Sequence, residues 1–194
     1  MLKLLTNNRL IIALALCGAL GGCSTVLEAT HNGPIQQDPG QRSLGTYLDD
    51  EKIQTITEVN INKAHPDLKN ANIHVNVFNG VVLLTGQAPS SELRLLAGRT
   101  AQQVQNVRQV YNEVQVRGNI SMLASSSDAW LTTKVKSVLL ANKEIDSGRI
   151  KVVTENGVIY LMGLLTRAEA ERAADVTRSI GGVQKVVKAV EYID

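Results

Sequence analysis

Two stretches of the chain alternate between apolar and polar residues, and an Asn-Gly pair interrupts each of them. The first reads NIHVNVFNGVVLLTGQAPS from residue 72, and the second reads RIKVVTENGVIYLMGLLTR from residue 149. Alternation is typical of half-buried β-strands, and Asn-Gly is the strongest short hairpin signal because both residues tolerate positive φ. Each stretch therefore predicts a β-hairpin. The predicted turns are Asn79-Gly80 and Asn156-Gly157, which lie 77 residues apart.

The pattern around the two hairpins repeats as well. Each hairpin is followed by a helical pattern, SSELRLLAGRTAQQVQ in one copy and TRAEAERAADVTRSI in the other, where Thr166 and Glu169 form a capping box. A final apolar strand follows in each copy, VRQVYNEVQV and VQKVVKAVEYI, and each copy opens with a helix after an aspartate. The sequence thus predicts an α+β fold of two tandem domains. Each domain has two helices packed on a small three-stranded mixed sheet, in the order α-β-β-α-β.

The periodic regions and the stretches between them set the expected boundaries. They are a lipoprotein signal peptide at residues 1–22, a lipidated cysteine with a flexible tether at 23–45, the first domain at 46–117, a linker at 118–127 and the second domain at 128–194.

The N-terminal residues fit an export signal. The apolar run LIIALALCGAL has 11 residues, which is shorter than the ~20 that a membrane span needs but suits a signal-peptide core. The following LGGC resembles the lipobox of bacterial lipoproteins, so Cys23 is predicted to be acylated and to become the new N-terminus. Ser24 resembles the sorting signal for a Gram-negative outer membrane, and the expected location is the periplasmic face of that membrane. An ordinary secretory signal with an incidental cysteine is the alternative.

Charge and cysteine content narrow the function further. The chain has 20 basic and 18 acidic residues, and Lys3 and Arg9 leave with the signal, so 20 − 2 = 18 basic residues remain against 18 acidic ones. A nucleic-acid-binding domain would be expected to carry a basic excess. Cys17 also leaves and Cys23 is predicted to be acylated, so no disulfide is expected. The sequence therefore predicts neither a nucleic-acid partner nor a disulfide-stabilised fold.

The chain's one tryptophan stands in DAWLTTKVKSVLLANKEI, residues 128–145, a helix predicted to begin behind a capping aspartate. Successive helical residues turn by about 100°. The predicted core stripe consists of Leu131, Val135, Val138, Leu139 and Asn142. Trp130 lies roughly 120° from the centre of that stripe and is predicted to point outward. Its companions on the outer face are Thr133, Lys134, Lys136, Ser137 and Leu140.

An outer face that mixes tryptophan, leucine and lysine is typical of a helix at a membrane interface. The corresponding helix of the first copy, EKIQTITEVNINKAH, is predicted to differ. Its core stripe would be Ile53, Thr57, Ile61 and Ala64, and its outer face would carry Gln54, Thr55, Glu58 and Asn62. That face is predicted to hold no aromatic residue and no basic cluster, which places the lipid site on the second domain alone. The residues leave one alternative open, in which Trp130 and Leu140 pack against the other domain or the linker.

Two such units behind a lipobox, each with a glycine six residues after its turn (Gly86 and Gly163), resemble the BON domain family. The resemblance covers nearly the whole mature chain. It implies a dual-BON outer-membrane lipoprotein that binds anionic phospholipid, phosphatidylglycerol or cardiolipin, and supports envelope integrity at division sites. The implied roles are membrane insertion for Trp130 and Leu140, headgroup contact for Lys134 and Lys136, and polar contact for Thr133 and Ser137.

No catalytic arrangement is apparent in the sequence. The three histidines, His31, His65 and His74, are scattered over a linker, a helix end and a strand. Asp49, Asp50 and Glu51 are expected to complement a helix dipole, with calcium binding as the alternative. We therefore expect no enzyme, no metal and no cofactor. The rival function is a protein-interaction adaptor, which would use Trp130 and Leu140 to hold an outer-membrane assembly or cell-wall remodelling partner.

Overall fold

The computed structural model describes residues 38–117 and 122–194. The signal peptide, Cys23, residues 23–37 of the tether with His31, and residues 118–121 of the predicted linker lie outside the described residues.

The first domain has seven helices and strands. They are α1 (Leu44–Ala64), α2 (Pro66–Lys69), β1 (Asn72–Phe78), β2 (Val81–Ala88), α3 (Ser91–Gln102), β3 (Gln109–Asn112) and β4 (Gln115–Val116). The central strand β2 pairs with β1 in the antiparallel direction and with both β3 and β4 in the parallel direction. The predicted third strand of this sheet is thus present as two short pieces along one edge.

The second domain repeats this order without the short second helix. Its elements are α4 (Met122–Ala141), a 3-10 turn (Ser147–Arg149), β5 (Ile150–Glu155), β6 (Val158–Leu165), α5 (Arg167–Arg178) and β7 (Lys185–Tyr192). The strand β6 is central, antiparallel to β5 and parallel to β7. The predicted α+β class and the mixed sheets are confirmed.

Both hairpins turn where the Asn-Gly pairs predict. Asn79 and Asn156 have φ of 51° and 52°, and the glycines that follow them are also in the left-handed region. The predicted capping box is present as well, since Thr166 accepts from the backbone of Glu169 while the Glu169 carboxylate accepts from Thr166. Local chemistry therefore determines these turns and this helix start.

The aspartates near the first helix of each domain do not act as the sequence analysis predicts. Helix α1 begins at Leu44 and α4 begins at Met122, so Asp50 and Asp128 lie within the helices and cap neither of them. The dipole role expected for Asp50 is wrong, because its side chain is buried and bonds elsewhere.

Each of these two aspartates binds the hairpin turn of its own domain. The Asp50 carboxylate accepts from the backbone N–H groups of Asn79 and Gly80 at 2.7 and 2.8 Å. The Asp128 carboxylate accepts in the same way from Asn156 and Gly157 at 2.6 and 2.9 Å. Charge-assisted bonds of this kind are stronger than neutral ones. The aspartates therefore fasten the first helix to the hairpin in both domains.

The helices cover one face of each sheet, and the other two faces pack against each other. Ile53, Val82 and Leu84 belong to the core between helices and sheet in the first domain. The faces away from the helices form a shared cluster of buried residues, which consists of Phe78, Val81, Leu83, Tyr160, Met162, Leu164 and Ala189. This cluster is the apolar interface between the two domains.

Polar contacts surround that interface. The guanidinium of Arg108 donates to the carboxylate of Glu191 at 2.8 Å, and the side-chain amide of Asn79 donates to the same carboxylate at 2.9 Å. On the opposite side, Gln87 donates to Glu155 at 2.7 Å. These bonds fix the register in which one sheet lies on the other.

Candidate functional site

The helix α4 has one face on the second sheet and one face open to solvent. Leu131, Val135 and Leu139 are buried against the β5–β6 hairpin and α5. On the opposite face Trp130 is 60% exposed and Leu140 is 74% exposed. The predicted outward direction of these two side chains is confirmed.

Packing of Trp130 and Leu140 against the first domain, the alternative that the sequence leaves open, is wrong. The buried cluster between the two sheets contains neither residue. The other alternative, contact of Trp130 with the linker, falls partly on residues 118–121, which lie outside the described residues.

The tryptophan is supported by a lysine and a glycine turn. The ammonium of Lys134 lies 4.9 Å from the centroid of the Trp130 ring and donates to the carbonyl of Gly181 at 2.9 Å. The next residue, Gly182, has φ of 105°, and a Cβ there would lie 4.0 Å from Cζ3 of Trp130. In the sequence the pair Gly181-Gly182 is typical of a turn before a strand, and nothing in the local pattern predicts its contact with Trp130. These contacts hold one large apolar side chain at the surface.

The two hydroxyl groups of the site are already engaged. The hydroxyl of Thr133 donates to the carbonyl of Ala129 at 3.1 Å, and that of Ser137 donates to the carbonyl of Thr133 at 2.9 Å. Both side chains are exposed, as predicted for an outer face. Because their protons point into the helix, each can donate to a headgroup oxygen only after giving up its helical bond.

Lys136 and Leu140 lie at the rim of a shallow recess of about 190 Å³. The recess lies between the end of α4 and the start of β5, and its floor includes Leu139, Ile150 and Val152. An apolar floor beneath a lysine can accommodate methylene groups while the ammonium meets an anion.

Positive charge also extends from α4 toward the other domain. Burial lowers the pKa of Lys151 below its usual value, and the positive charge of the nearby Arg42 lowers it further. Lys136 adds a smaller effect in the same direction, while the carboxylates of Glu51 and Asp50 partly offset the decrease. The ammonium of Lys151 lies 3.3 Å from the carbonyl oxygen of Val77 in the first domain.

Asn142 does not belong to the core stripe in which the sequence analysis places it. It follows the last residue of α4 and is only half-buried. Its backbone N–H donates to Leu139 and its side-chain oxygen accepts from the N–H of Glu144 at 2.9 Å. Asn142 ends the helix instead, a role in which its short side chain competes well with the backbone.

The outer face of α1 differs from its prediction. Because the helix begins at Leu44, it includes the exposed aromatic residue Tyr47, and further exposed apolar side chains follow it. The large exposed apolar residues of α1 are Leu44, Tyr47, Leu48, Ile56 and Val59. Lys52 and Lys63 are also exposed on this helix. The prediction that this face has no aromatic residue is therefore wrong. The predicted lack of a basic cluster is confirmed, since Lys52 and Lys63 stand 11 positions apart.

Within residues 38–117 and 122–194 no group of three or more His, Cys, Asp or Glu side chains is arranged to hold a metal ion. In the same part of the chain no helix is both long and apolar enough to span a membrane.

Comparison with known proteins identifies the repeated domain. The BON domain family matches residues 49–118 and 127–194. The chain is 37% identical to the outer membrane lipoprotein DolP of Haemophilus influenzae, over 82% of this chain and 82% of that protein. It is 40% identical to a 21 kDa hemolysin of Actinobacillus pleuropneumoniae, over 84% of this chain and 82% of that protein. It is 28% identical to the osmotically-inducible protein Y of Escherichia coli, over 77% of this chain and 75% of that protein.

The two BON matches cover both sheets, both hairpins, α1 from residue 49 onward and α4 from residue 127 onward. The resemblance read from the Asn-Gly hairpins and the lipobox is confirmed, and so is the predicted outer-membrane location. The chain therefore belongs to the BON domain family, as an outer-membrane lipoprotein with two BON domains and a DolP-like role in the cell envelope.

Proposed function

We propose that the outer face of α4 binds the surface of an anionic phospholipid bilayer, with phosphatidylglycerol or cardiolipin as its headgroups. The observation that supports this most directly is the exposure of Trp130 and Leu140 beside Lys134 and Lys136. We refer to Trp130, Thr133, Lys134, Lys136, Ser137 and Leu140 together as the α4 surface.

The chemistry of each side chain fits a membrane interface. Tryptophan is broad, rigid and amphipathic, and it is enriched at the depth where headgroups meet acyl chains. A basic residue near an anionic bilayer contributes ~1 kcal/mol. Lys136 is the stronger headgroup ligand of the two lysines, since the ammonium of Lys134 is already bonded to Gly181. Thr133 and Ser137 contribute mainly through exposed oxygen atoms.

A weak contact suffices because the protein is tethered. In the proposed arrangement the acyl chains at Cys23 hold the folded domains near the membrane and raise the effective concentration of the α4 surface. The two contacts together keep α4 at the bilayer and the folded domains on its periplasmic side. The biological role that this serves is support of envelope integrity at division sites, and it involves no catalysis.

Sedimentation with liposomes tests the proposal. The chain without its acyl anchor, residues 24–194, keeps every residue of the two domains and would be mixed with neutral liposomes or with liposomes that contain phosphatidylglycerol. We expect binding that requires the anionic lipid, weakens with salt and disappears in Trp130→Glu.

The matched control is Leu95→Glu, which introduces the same charge at a leucine of α3 that is 58% exposed. It should bind like the unchanged protein, and circular dichroism would show that both variants are folded. Failure of the unchanged protein to bind either liposome would overturn the proposal. It would favour the adaptor function instead, in which the same apolar side chains meet a protein partner.

A further inference from the structure

The first turns of α1 expose an apolar patch that the α4 surface does not explain. Leu44 is 78% exposed and Leu48 is 61% exposed, and the ring of Tyr47 is exposed beside them. Residues four apart lie on the same side of a helix, so the two leucines face the same way. We call Leu44, Tyr47 and Leu48 the α1 patch.

This patch is held in a defined place. The hydroxyl of Ser43 accepts from the N–H of Thr46 at 3.1 Å and caps the helix where the patch begins. Just before it, Gly40 lies so close to the side chain of Arg149 that a Cβ would come within 2.6 Å. The start of α1 is therefore packed against the 3-10 turn of the second domain.

That turn connects the α1 patch with the α4 surface. Leu44 and Tyr47 line a recess of about 430 Å³ together with Gly148 and Arg149 of the turn and with Asp146, which precedes it. On the other side of the same turn, Ser147 lines the recess at Lys136 and Leu140. A flat surface that touches Leu140 therefore needs to pass over only one short turn to reach the α1 patch.

We infer that the α1 patch is a second membrane contact, so that the bilayer rests on both domains and not on α4 alone. This inference depends on the proposed function, because it extends the surface that α4 offers to lipid. Three exposed side chains are too few for a stable interface with a second copy, which would bury roughly 800 Å² on each partner. The bilayer is instead the partner that an outer-membrane lipoprotein always has beside it.

The chain path agrees with this partner. Cys23 and Ser43 are 20 residues apart, and α1 is the first helix within the described residues. Among the parts of the folded domains, the start of α1 is the nearest along the chain to the predicted acyl group.

The charges around the α1 patch give its contact a different character from that of α4. Arg42 is engaged by Asp50 at 2.7 Å, and Asp49 and Glu51 are exposed one turn further along. Lys52 is the nearest exposed cation on this helix, one turn beyond Leu48 and next to Glu51. The three side chains of the patch carry no charge, so the contact that they make is apolar. Its contribution to binding should be the same at low and high salt, unlike that of Lys136.

A double variant tests the inference. Leu44→Gln with Leu48→Gln removes apolar surface without adding charge, and Leu95→Gln makes the same change on α3. With residues 24–194 and vesicles containing phosphatidylglycerol, we expect the double variant to bind roughly tenfold more weakly or worse. The control should stay within about twofold of the unchanged protein.

The outcomes separate this inference from the proposed function. If Trp130→Glu abolishes binding while the double variant binds like the unchanged protein, the α1 contact is wrong and the α4 surface stands. If the unchanged protein does not bind the vesicles, both fall together.

A fluorescent probe gives a second readout that does not depend on affinity. Residues 24–194 contain no cysteine, since the chain's two stand at positions 17 and 23. An environment-sensitive fluorophore on Leu48→Cys should shift to shorter wavelength when vesicles are added, whereas the same fluorophore on Leu95→Cys should not. Equal spectra at position 48 with and without bound vesicles would overturn the inference.

Discussion

The two domains share their internal contacts and differ on their outer helical faces. Asp50 and Asp128 make the same pair of bonds to the hairpin turn, and 78 positions separate them. With that offset the buried residues also correspond, Ile53 to Leu131 and Ile61 to Leu139. The fold is thus preserved by residues that point inward.

The outer faces do not correspond with the same offset. Lys52 stands where the second domain has Trp130, and Ile56 stands where it has Lys134. The largest changes are further along the helix, where Glu58 and Asn62 take the places of Lys136 and Leu140. An acid and an amide in place of a lysine and a leucine remove the features that suit anionic lipid. The comparison teaches that one fold can carry two different surfaces.

The internal contacts that the two domains share can be disturbed by substitution, and the largest loss of stability is expected at the two repeated glycines. Gly86 has φ of +100°, and a Cβ there would lie 1.9 Å from the carbonyl oxygen of Asn72. At Gly163 the corresponding distance, to the carbonyl oxygen of Arg149, is 2.5 Å and φ is not positive. Gly86→Ala should lower the free energy of unfolding by roughly 3–5 kcal/mol, and Gly163→Ala by about 2–3 kcal/mol.

Urea unfolding followed by circular dichroism would measure both glycine variants. Equal losses, or a larger loss for Gly163→Ala, would show that the two glycines are more alike than their backbones indicate.

The next effect concerns the aspartates. Asp50 is 4% exposed and binds Arg42 in addition to two backbone N–H groups. Asp128 is only half-buried and binds the two N–H groups of its turn. Removing a carboxylate leaves buried donors unpaired, so Asp50→Ala should cost roughly 3–4 kcal/mol and Asp128→Ala about 2 kcal/mol. The same unfolding measurement decides the order, and a reversed order would contradict it.

The two lysines of the α4 surface provide a comparison within the site itself. Lys136→Gln should weaken binding to phosphatidylglycerol vesicles by roughly fivefold at low salt, a loss of ~1 kcal/mol. Lys134→Gln should weaken it less, because the ammonium of Lys134 is already bonded to Gly181. Vesicle titrations at low and high salt would test this, since both effects should shrink as salt rises. A larger loss for Lys134→Gln would contradict the assignment of Lys136 as the main headgroup ligand.

The smallest effect is expected at Lys151, which has His74 as its counterpart 77 positions earlier. Burial, and then Arg42, lower the pKa of Lys151 below its usual value of 10.5. In the pH window just below 10.5 the unfolded chain therefore binds more protons at this group than the folded chain does. As a result, Lys151 makes the free energy of unfolding rise with pH in that window.

Lys151→Met should abolish that rise and stabilise the protein at neutral pH. The gain is at most about 1 kcal/mol, since solvent screens a group that is not fully buried. Urea unfolding at neutral and alkaline pH would show it. A variant that is less stable than the unchanged protein at neutral pH would mean that the contact with Val77 outweighs the cost of burial.

Features with a local cause could be predicted from the sequence. The Asn-Gly pairs determine both turns, and the alternation of apolar residues determines which side of β1 and of β5 is the more buried. The outward direction of Trp130 follows from helical geometry alone. Each of these depends on residues within one or two turns of the feature.

Features that depend on distant contacts could not be predicted in this way. The bond from Asp50 to its hairpin joins residues 29 apart, and nothing in the local pattern indicates it. The interface between the sheets could have been predicted from the composition of β2. All eight residues of β2 are buried, and a strand that is apolar on both faces predicts cover on both sides. The early start of α1 was missed because Asp49 and Asp50 resemble a helix start.

The central claim, that the α4 surface meets anionic lipid, is tested most directly by the fluorescence of Trp130. It is the only tryptophan in the chain and is 60% exposed without lipid, so its emission reports on the site without any substitution. We predict that vesicles with phosphatidylglycerol shift this emission to shorter wavelength, that brominated acyl chains quench it, and that neutral vesicles do neither. Unchanged emission from protein that sediments with the anionic vesicles would contradict the account, because the lipid would then be bound elsewhere.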